Sequence, residues 1–225
     1  MTLQNIYNLI NHISNKHHSG RAFNLSTYNL YLELSYKDFF KKKLLDRKVP
    51  MDEFVVNETL TVGSPFTYDY AYWKTGTETV TNNRIEFVAE DEYSDRLDDS
   101  IMLPSASAPV AFERAGVVVI KPDTVTSVNV SYFRYPEKPF CDYYIDVNGE
   151  IQFLDVGDVH TWVDDEIDSA GTTHHAGDAD WDSLTTELEF NEDLHLEYVL
   201  TIISMAGIKL DKIQLTQYAE EIQKK

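Results

Sequence analysis

The sequence predicts an α+β fold in which helices from the two ends of the chain form a small bundle with an embedded, antiparallel β-rich lobe. Apolar residues recur every three or four positions before residue 50 and again after residue 190, as on one face of an amphipathic helix. Between these regions helical spacing disappears, and short β-rich runs are separated by turn residues. We therefore assign residues 1–50 and 191–225 to the bundle and residues 51–190 to the lobe, within one discontinuous domain.

The first two helices are each predicted from one apolar stripe. Thr2 caps the first helix, which ends near Gly20, a residue suited to a helix C-terminus. The second helix spans about residues 26–45, with Ser26 or Asn24 as its cap, and Pro50 stops it. A short polar turn between them favours an antiparallel helical hairpin. The stripe of the first helix is Leu3, Ile6, Tyr7, Ile10 and Ile13. The second helix has Tyr28, Tyr31, Leu32, Ser35, Phe39 and Lys43 on one side, and Phe40 and Leu44 widen this apolar face.

The strands of the lobe are predicted from alternation, β-branched residues and turns. Asn148-Gly149 gives the strongest hairpin signal, between apolar runs at 143–145 and 151–154. Asn82-Asn83 predicts a second hairpin turn, within residues 79–88. Residues 102–109 are rich in proline and serine and predict a loop. The other predicted strands are 54–62, 68–72, 117–120 and 125–133.

The last third of the chain returns from loop to helix. Residues 157–182 contain few apolar residues and many aspartates, which predicts a long exposed loop. Leu184 to Phe190 alternates like a short strand. Asn191 caps a helix that Gly207 closes, and Asp211 begins a final helix.

The charge of the chain is large and unevenly distributed. The net charge is −19, which disfavours binding to nucleic acid or to an anionic membrane over most of the surface. No Lys or Arg occurs between Cys141 and Leu200. Basic residues cluster instead at the C-terminal end and at Lys41, Lys42, Lys43, Arg47 and Lys48. This cluster either complements the dipole of the second helix or contacts DNA or the acidic half of a second copy.

The sequence also predicts the compartment in which the chain works. A single cysteine excludes an internal disulfide and suits a reducing cytoplasm. The N-terminus lacks the pattern of a signal peptide, and no stretch approaches the roughly 20 apolar residues of a membrane span. We expect a protein of an aqueous compartment without membrane contact.

One acidic segment has the spacing of a calcium loop. Asp178, Asp180, Asp182 and Glu189 occupy its positions 1, 3, 5 and 12. Ser183 replaces the turn glycine, however, and a predicted strand follows where a helix should begin. His160, His174 and His175 lack the fixed spacing of a zinc site. We predict no metal site, and keep a calcium-dependent binding module at residues 178–189 as the alternative function.

Motifs for catalysis are missing from the sequence. Cys141 has no neighbouring cation that would lower its pKa, and its sequence context is that of a packed apolar residue. The chain contains no G-x-S-x-G elbow, P-loop or G-x-G-x-x-G motif. We expect neither an enzyme nor a cofactor.

A series of short motifs follows the order of a known family. In the centre they are Arg96, Pro104-Ser105, Pro109-Val110-Ala111, a strand at 117–120, Pro122 to Val125, and Tyr132 to Pro136. Towards the C-terminus they are Glu187 to Phe190, Gly207-Ile208 and Gln217-Tyr218-Ala219, and Phe23-Asn24-Leu25 matches near the N-terminus. In these motifs the chain resembles the ring or adaptor proteins in the neck of short-tailed bacteriophages, particularly crAss-like phages. Residues 65–73 and 157–182 depart from the family pattern.

The resemblance implies a structural virion protein that is assembled in the bacterial cytoplasm. Twelve copies would form a ring below the portal, join the capsid to the tail and extend the DNA channel. Its partners would be further copies of itself, the portal protein and other neck-ring or tail proteins, and DNA would pass without sequence-specific binding. The candidate interface residues are Lys41, Lys42, Lys43, Pro104, Pro109, Arg134, Tyr135 and Tyr218.

Overall fold

The structure, a computed structural model, describes residues 1–17, 24–46, 51–98 and 103–207. Its described residues form four α-helices and several small, mostly antiparallel sheets, which confirms the α+β class. The helices are α1 (Leu3–His17), α2 (Leu25–Asp46), α3 (Glu90–Asp98) and α4 (Glu192–Met205), with a 3-10 turn at Asp52–Phe54. The strands are β1 (Val55–Thr61), β2 (Tyr70–Glu78), β3 (Glu86–Phe87), β4 (Val110–Arg114), β5 (Val117–Lys121), β6 (Ser127–Arg134), β7 (Asp142–Ile145), β8 (Ile151–Leu154), β9 (Val159–His160), β10 (Glu166–Asp168), β11 (Thr173–His174) and β12 (Trp181–Asp182).

The chain divides into two compact units. The helical unit contains Met1–Lys42 and Pro136–Lys225, and the sheet unit contains Lys43–Tyr135. The strands after residue 135 therefore group with the helices, whereas the sequence analysis placed them with residues 51–135. Spatial contacts define this grouping, and the order of elements along the chain does not reveal it.

In the helical unit, α1, α2 and α4 pack around a shared core. The Tyr28 hydroxyl of α2 donates to the Leu3 carbonyl of α1 at 3.0 Å, and the Tyr198 hydroxyl of α4 donates to the Leu32 carbonyl of α2 at 3.1 Å. Phe39 packs edge-on against Tyr198. The predicted stripe of α1 is confirmed, since all five of its residues are buried.

Polar side chains cap three helices as the sequence indicates. Thr2, Asn24 and Asn191 each accept a hydrogen bond from a backbone N–H two or three residues further on. The bond to Asn24 is the shortest, at 2.7 Å. Asn24, and not Ser26, is therefore the cap of α2.

The sheet unit is built around β6, which lies between β1 and β2 in an antiparallel sheet. The alternation in β6 is confirmed: Val128, Val130 and Tyr132 are all buried in the core. A second sheet has the order β3-β4-β5, in which β3 and β4 are parallel. Asn82 has a φ of +57° in the turn after β2, and a single bridge between Thr77 and Arg84 closes this turn.

The prediction of a long exposed loop at residues 157–182 is wrong. This segment contains β9 to β12, and Trp162, Glu166 and Asp168 within it are buried. Its low apolar content was misleading because hydrogen-bonded carboxylates and imidazoles take the place of aliphatic side chains there.

Two predicted strands are not formed as expected, and one helix was not predicted. Residues 184–190 form no strand, only a single bridge from Thr186 to Phe140. Residues 79–88 contribute only the two residues of β3. Helix α3 was missed because it is short and acidic, and Tyr93 is its one buried apolar residue among those whose side chains are described. The helix predicted from Asp211 lies outside the described residues.

Candidate functional site

Helix α2 has apolar residues on both of its faces. Tyr28 and Leu32 are buried, whereas Leu30 and Leu34, one turn apart, keep 50% and 52% of their surface exposed. Lys41 lies two turns beyond Leu34 on the same side and is exposed, with exposed Lys42 beside it. We call Leu30, Leu34, Lys41 and Lys42 the outer face of α2. A helix that is apolar on opposite sides is typical of a contact on both sides.

One member of the predicted basic cluster is buried in the structure. Lys43 is only 7% exposed, so it does not contribute to an accessible basic patch. The helical periodicity explains this, because Lys43 follows the buried Phe39 and Phe40 by one turn. Arg47 and Lys48 lie outside the described residues.

A buried carboxylate organises the acidic segment of the helical unit. Asp142 is fully buried and accepts hydrogen bonds from four donors. They are the backbone N–H groups of Tyr143 at 3.0 Å and Leu184 at 2.9 Å, the Ser169 hydroxyl at 2.5 Å and the Trp181 indole N–H at 2.8 Å. These bonds tie two other stretches of chain to β7, one at Ser169 and one at residues 181–184.

Two histidine–carboxylate pairs stand beside Asp142. His160 donates to Glu166 at 2.9 Å, and the Val163 N–H donates to the same carboxylate oxygen at 2.7 Å. The imidazole of His160 stacks on the Tyr144 ring, with 3.8 Å between ring centroids. Both side chains are nearly buried, with 14% of His160 and 6% of Glu166 exposed.

The second pair repeats this arrangement. His174 donates to Asp168 at 3.0 Å and stacks on Trp162 with ring centroids 3.9 Å apart. Burial raises the pKa of the Asp168 carboxyl, but hydrogen bonds from His174 and from the N–H groups of Thr172 and Ala170 outweigh it and lower the pKa below its usual value. We call Asp142 and these two pairs the carboxylate framework.

The carboxylate framework separates the acidic residues into two classes. Its own carboxylates are buried and hydrogen-bonded, so they stiffen the segment. Other carboxylates of the same segment remain exposed, among them Asp164, Asp165, Asp180 and Asp182. The framework therefore presents a fixed, acidic surface to the solvent and to any partner.

The four calcium-loop candidates do not converge. Asp178 accepts from the His175 N–H at 2.9 Å, and Glu189 accepts from the Glu137 N–H at 2.6 Å. Asp180 and Asp182 are exposed, the latter in β12. In the part of the chain that the structure describes, no group of three or more His, Cys, Asp or Glu side chains is arranged to hold a metal ion.

The remaining interface candidates have mixed positions. Pro104 is half-buried in the loop before β4, and Pro109 is buried. The Arg134 guanidinium lies over the rings of Phe54 and Tyr68, at 5.5 and 5.6 Å from their centroids, and Tyr135 is half-buried. Tyr218 lies outside the described residues.

The cysteine is buried, as its sequence context indicates. Cys141 is 2% exposed, and its burial, with a smaller effect of the carboxylates of Glu187, Asp142 and Asp155, raises the pKa of the thiol to about 12. A thiol in this state is a poor nucleophile at neutral pH.

Comparisons with known proteins do not assign the chain to a family. No protein-family model matches the chain, and no curated protein matches it. Among the described residues, no helix is long and apolar enough to cross a membrane.

Sequence reasoning missed the carboxylate framework completely. One signal was present: Trp162 and Trp181 both lie in a segment interpreted as an exposed loop, although tryptophan is highly buried on average. Two tryptophans within 20 residues therefore indicated a local core. The histidine–carboxylate pairs follow a common separation of six residues, but that spacing alone has no structural meaning.

Proposed function

We propose that this chain is a structural virion protein that forms a head-to-tail ring, of twelve copies in the resembled family, below the portal of a short-tailed phage. The ring joins capsid to tail and extends the DNA channel. The observation that carries the proposal is the presence of two unlike surfaces on the helical unit, the outer face of α2 and the exposed acidic surface around the carboxylate framework.

The two surfaces are chemically complementary. The outer face of α2 offers two leucines beside two lysines. The acidic surface offers exposed carboxylates together with Val156, Val159 and Val163, whose exposures are 55–62%. Apolar contacts supply affinity, and opposite charges at the rim supply orientation and discourage like-to-like pairing.

A contact between unlike surfaces generates rings. If the outer face of α2 on one copy meets the acidic surface of the next, the contact is heterologous, and the assembly closes when the rotation between copies divides a full turn. Residues 141–200 contain 17 Asp and Glu and no Lys or Arg. Any part of this stretch that lines the channel repels DNA phosphates and allows DNA to slide.

The remaining partners follow from the position of such a ring. In this proposal the portal protein lies above it and another neck ring or a tail protein lies below it. The same proposal includes a bundle in which the chain after residue 207 joins α1, α2 and α4.

A pair of matched substitutions tests the ring contact. We expect Leu34→Asp to weaken self-association at least about tenfold, because it places a carboxylate in an apolar contact that faces acidic residues. Val80→Asp is the control, since Val80 is 81% exposed in the sheet unit, outside the proposed contact. Sedimentation velocity at several protein concentrations measures both variants. Equal self-association of the two variants contradicts the contact through α2.

A further inference from the structure

The sheet unit contains a cleft of about 650 Å³ that the proposed ring contact does not use. It opens where β2 and β3 diverge. The strands are bridged at Thr77 and Arg84, and the Ile85 N–H donates to the Gly76 carbonyl at 2.8 Å. Beyond this point β3 pairs with β4 instead. Residues 72–75 of β2 pair with β6 on one side, and their other edge pairs with no strand among the described residues.

Aromatic rings form the apolar part of the cleft. Trp73 of β2 stacks on Phe87 of β3, with ring centroids 4.6 Å apart and planes 17° from parallel. Tyr72, next to Trp73, keeps 59% of its surface exposed. Trp73 is 9% exposed and packs in the core of the sheet unit, so Tyr72 is the accessible ring of the cleft against which a planar side chain can pack.

Cations form the polar part of the cleft. The Lys74 side chain is 43% exposed, and its ammonium lies 3.8 Å from the Asp52 carboxylate, the outer limit of a salt bridge. Arg84 is exposed, and its charge adds to the larger effect of the Arg96 hydrogen bonds in lowering the pKa of the Glu86 carboxyl. Glu86, the one acidic residue of the lining, is bound by both terminal nitrogens of Arg96 at 2.7 and 2.9 Å. The lining thus carries an excess of positive charge in a chain whose net charge is −19.

We propose that this cleft docks an acidic segment of a separate protein that carries an aromatic side chain. Carboxylates of the segment pair with Lys74 and Arg84, and its aromatic ring packs against Tyr72. The occupant is a separate protein because the acidic surface of this chain is engaged in the proposed ring.

Two features determine how the segment binds. β2 has register shifts between Tyr70 and Tyr72 and between Trp73 and Thr75, and it carries Lys74 on its edge. Bulges and edge lysines oppose strand addition, so the segment binds through its side chains and does not extend the sheet.

A nucleic acid is disfavoured because its evenly spaced phosphates are repelled by the rest of this acidic chain.

Binding of a labelled random copolymer of glutamate and tyrosine tests the proposal. Fluorescence anisotropy is measured at protein concentrations where the chain is monomeric, so the result does not depend on ring formation. We expect the copolymer to bind the wild type more tightly than polyglutamate does. The double variant Lys74→Glu/Arg84→Glu should bind it at least about tenfold more weakly, because attraction becomes repulsion at both contacts.

Lys138→Glu is the control for a charge reversal outside the cleft; it changes the net charge by −2, half of the −4 in the double variant. Lys138 is 48% exposed and bridges Glu33 at 3.1 Å in the helical unit, so its reversal changes the net charge without touching the cleft. We expect this variant to bind the copolymer within about twofold of the wild type, allowing for the weak long-range effect of one screened charge. Tyr72→Ala tests the aromatic contact independently. Because the Tyr72 ring is exposed, its removal should leave the fold intact.

Four outcomes would overturn the proposal. They are failure of the copolymer to bind, undiminished binding by the double variant and by Tyr72→Ala, tighter cleft-dependent binding of oligo-dT, and loss of self-association in the double variant. The third would identify a nucleic-acid site, and the fourth would identify a second copy as the occupant. Neither of the first two affects the proposed ring, which sedimentation of the wild type tests separately.

Discussion

Asp142 is the residue whose substitution should affect the helical unit most strongly. Asp142→Asn replaces one acceptor oxygen with an NH₂ group that faces the N–H donors of Trp181 and Leu184. We expect a loss of about 2–4 kcal/mol in the free energy of unfolding, because buried donors lose charge-assisted hydrogen bonds. Urea denaturation measures it. Asp180→Asn, at an exposed position nearby, should change stability by less than about 0.5 kcal/mol.

Asp168 gives the helical unit a defined sensitivity to acid. Its pKa in the folded chain lies below the ordinary value of 3.8, so its stabilising effect is complete above about pH 4 and is lost as the pH falls. We expect the difference in unfolding free energy between the wild type and Asp168→Asn to shrink as the pH is lowered from 5 to 3. Urea midpoints at pH 5, 4 and 3 test this. If the difference in unfolding free energy does not change with pH, the fold does not stabilise the ionised form of Asp168.

These residue-scale features show where sequence interpretation stops. The burial of Cys141 was predicted, because its apolar neighbour and the lack of a cation are visible in the sequence. His174 pairs with Asp168, and His160 pairs with Glu166. Both pairs depend on tight turns that bring together residues six positions apart. Polar residues that are buried by mutual hydrogen bonds have the composition of a loop, so no periodicity distinguishes them.

At the scale of the element, the capping of α2 yields a simple prediction. Asn24 accepts from the Thr27 N–H at 2.7 Å, and Asn24→Ala leaves that N–H without its partner. We expect a loss of about 1 kcal/mol in unfolding free energy, and most of it should be restored in Asn24→Ser, since serine is also a good cap. Thermal denaturation compares the three chains. Equal stability of the alanine and serine variants would contradict the capping role.

Elements with strong periodicity were predictable, and those without it were not. α1, α2, α4, β6 and the β7–β8 hairpin follow apolar stripes, alternation or an Asn-Gly turn, all of which act locally. The outer face of α2 was not recognised from the sequence. Leu30 and Leu34 lie outside the buried stripe, and their exposure became clear only in the structure. β9 to β12 contain two or three residues each, too few to show a period.

At the scale of the whole molecule, the sequence predicts the fold class and not the grouping of its parts. Residues 136–190 lie in the helical unit because β7 and β8 pack with it, and Tyr143 contacts Ser26 while Asn29 holds both backbone groups of Cys141. Such long-range polar contacts leave no trace in local composition. The segregation of charge, by contrast, was visible in the sequence, and it is the basis of the proposed head-to-tail ring.

The mass of the purified protein, alone and with the portal protein of the proposed phage, tests the central claim most directly. Mass photometry should find a discrete ring, with a dodecamer at about 311 kDa, twelve times the 25.9 kDa of one chain. The ring forms either alone or once the portal is added. A folded chain that remains at 25.9 kDa at every concentration and does not bind the portal would contradict the account.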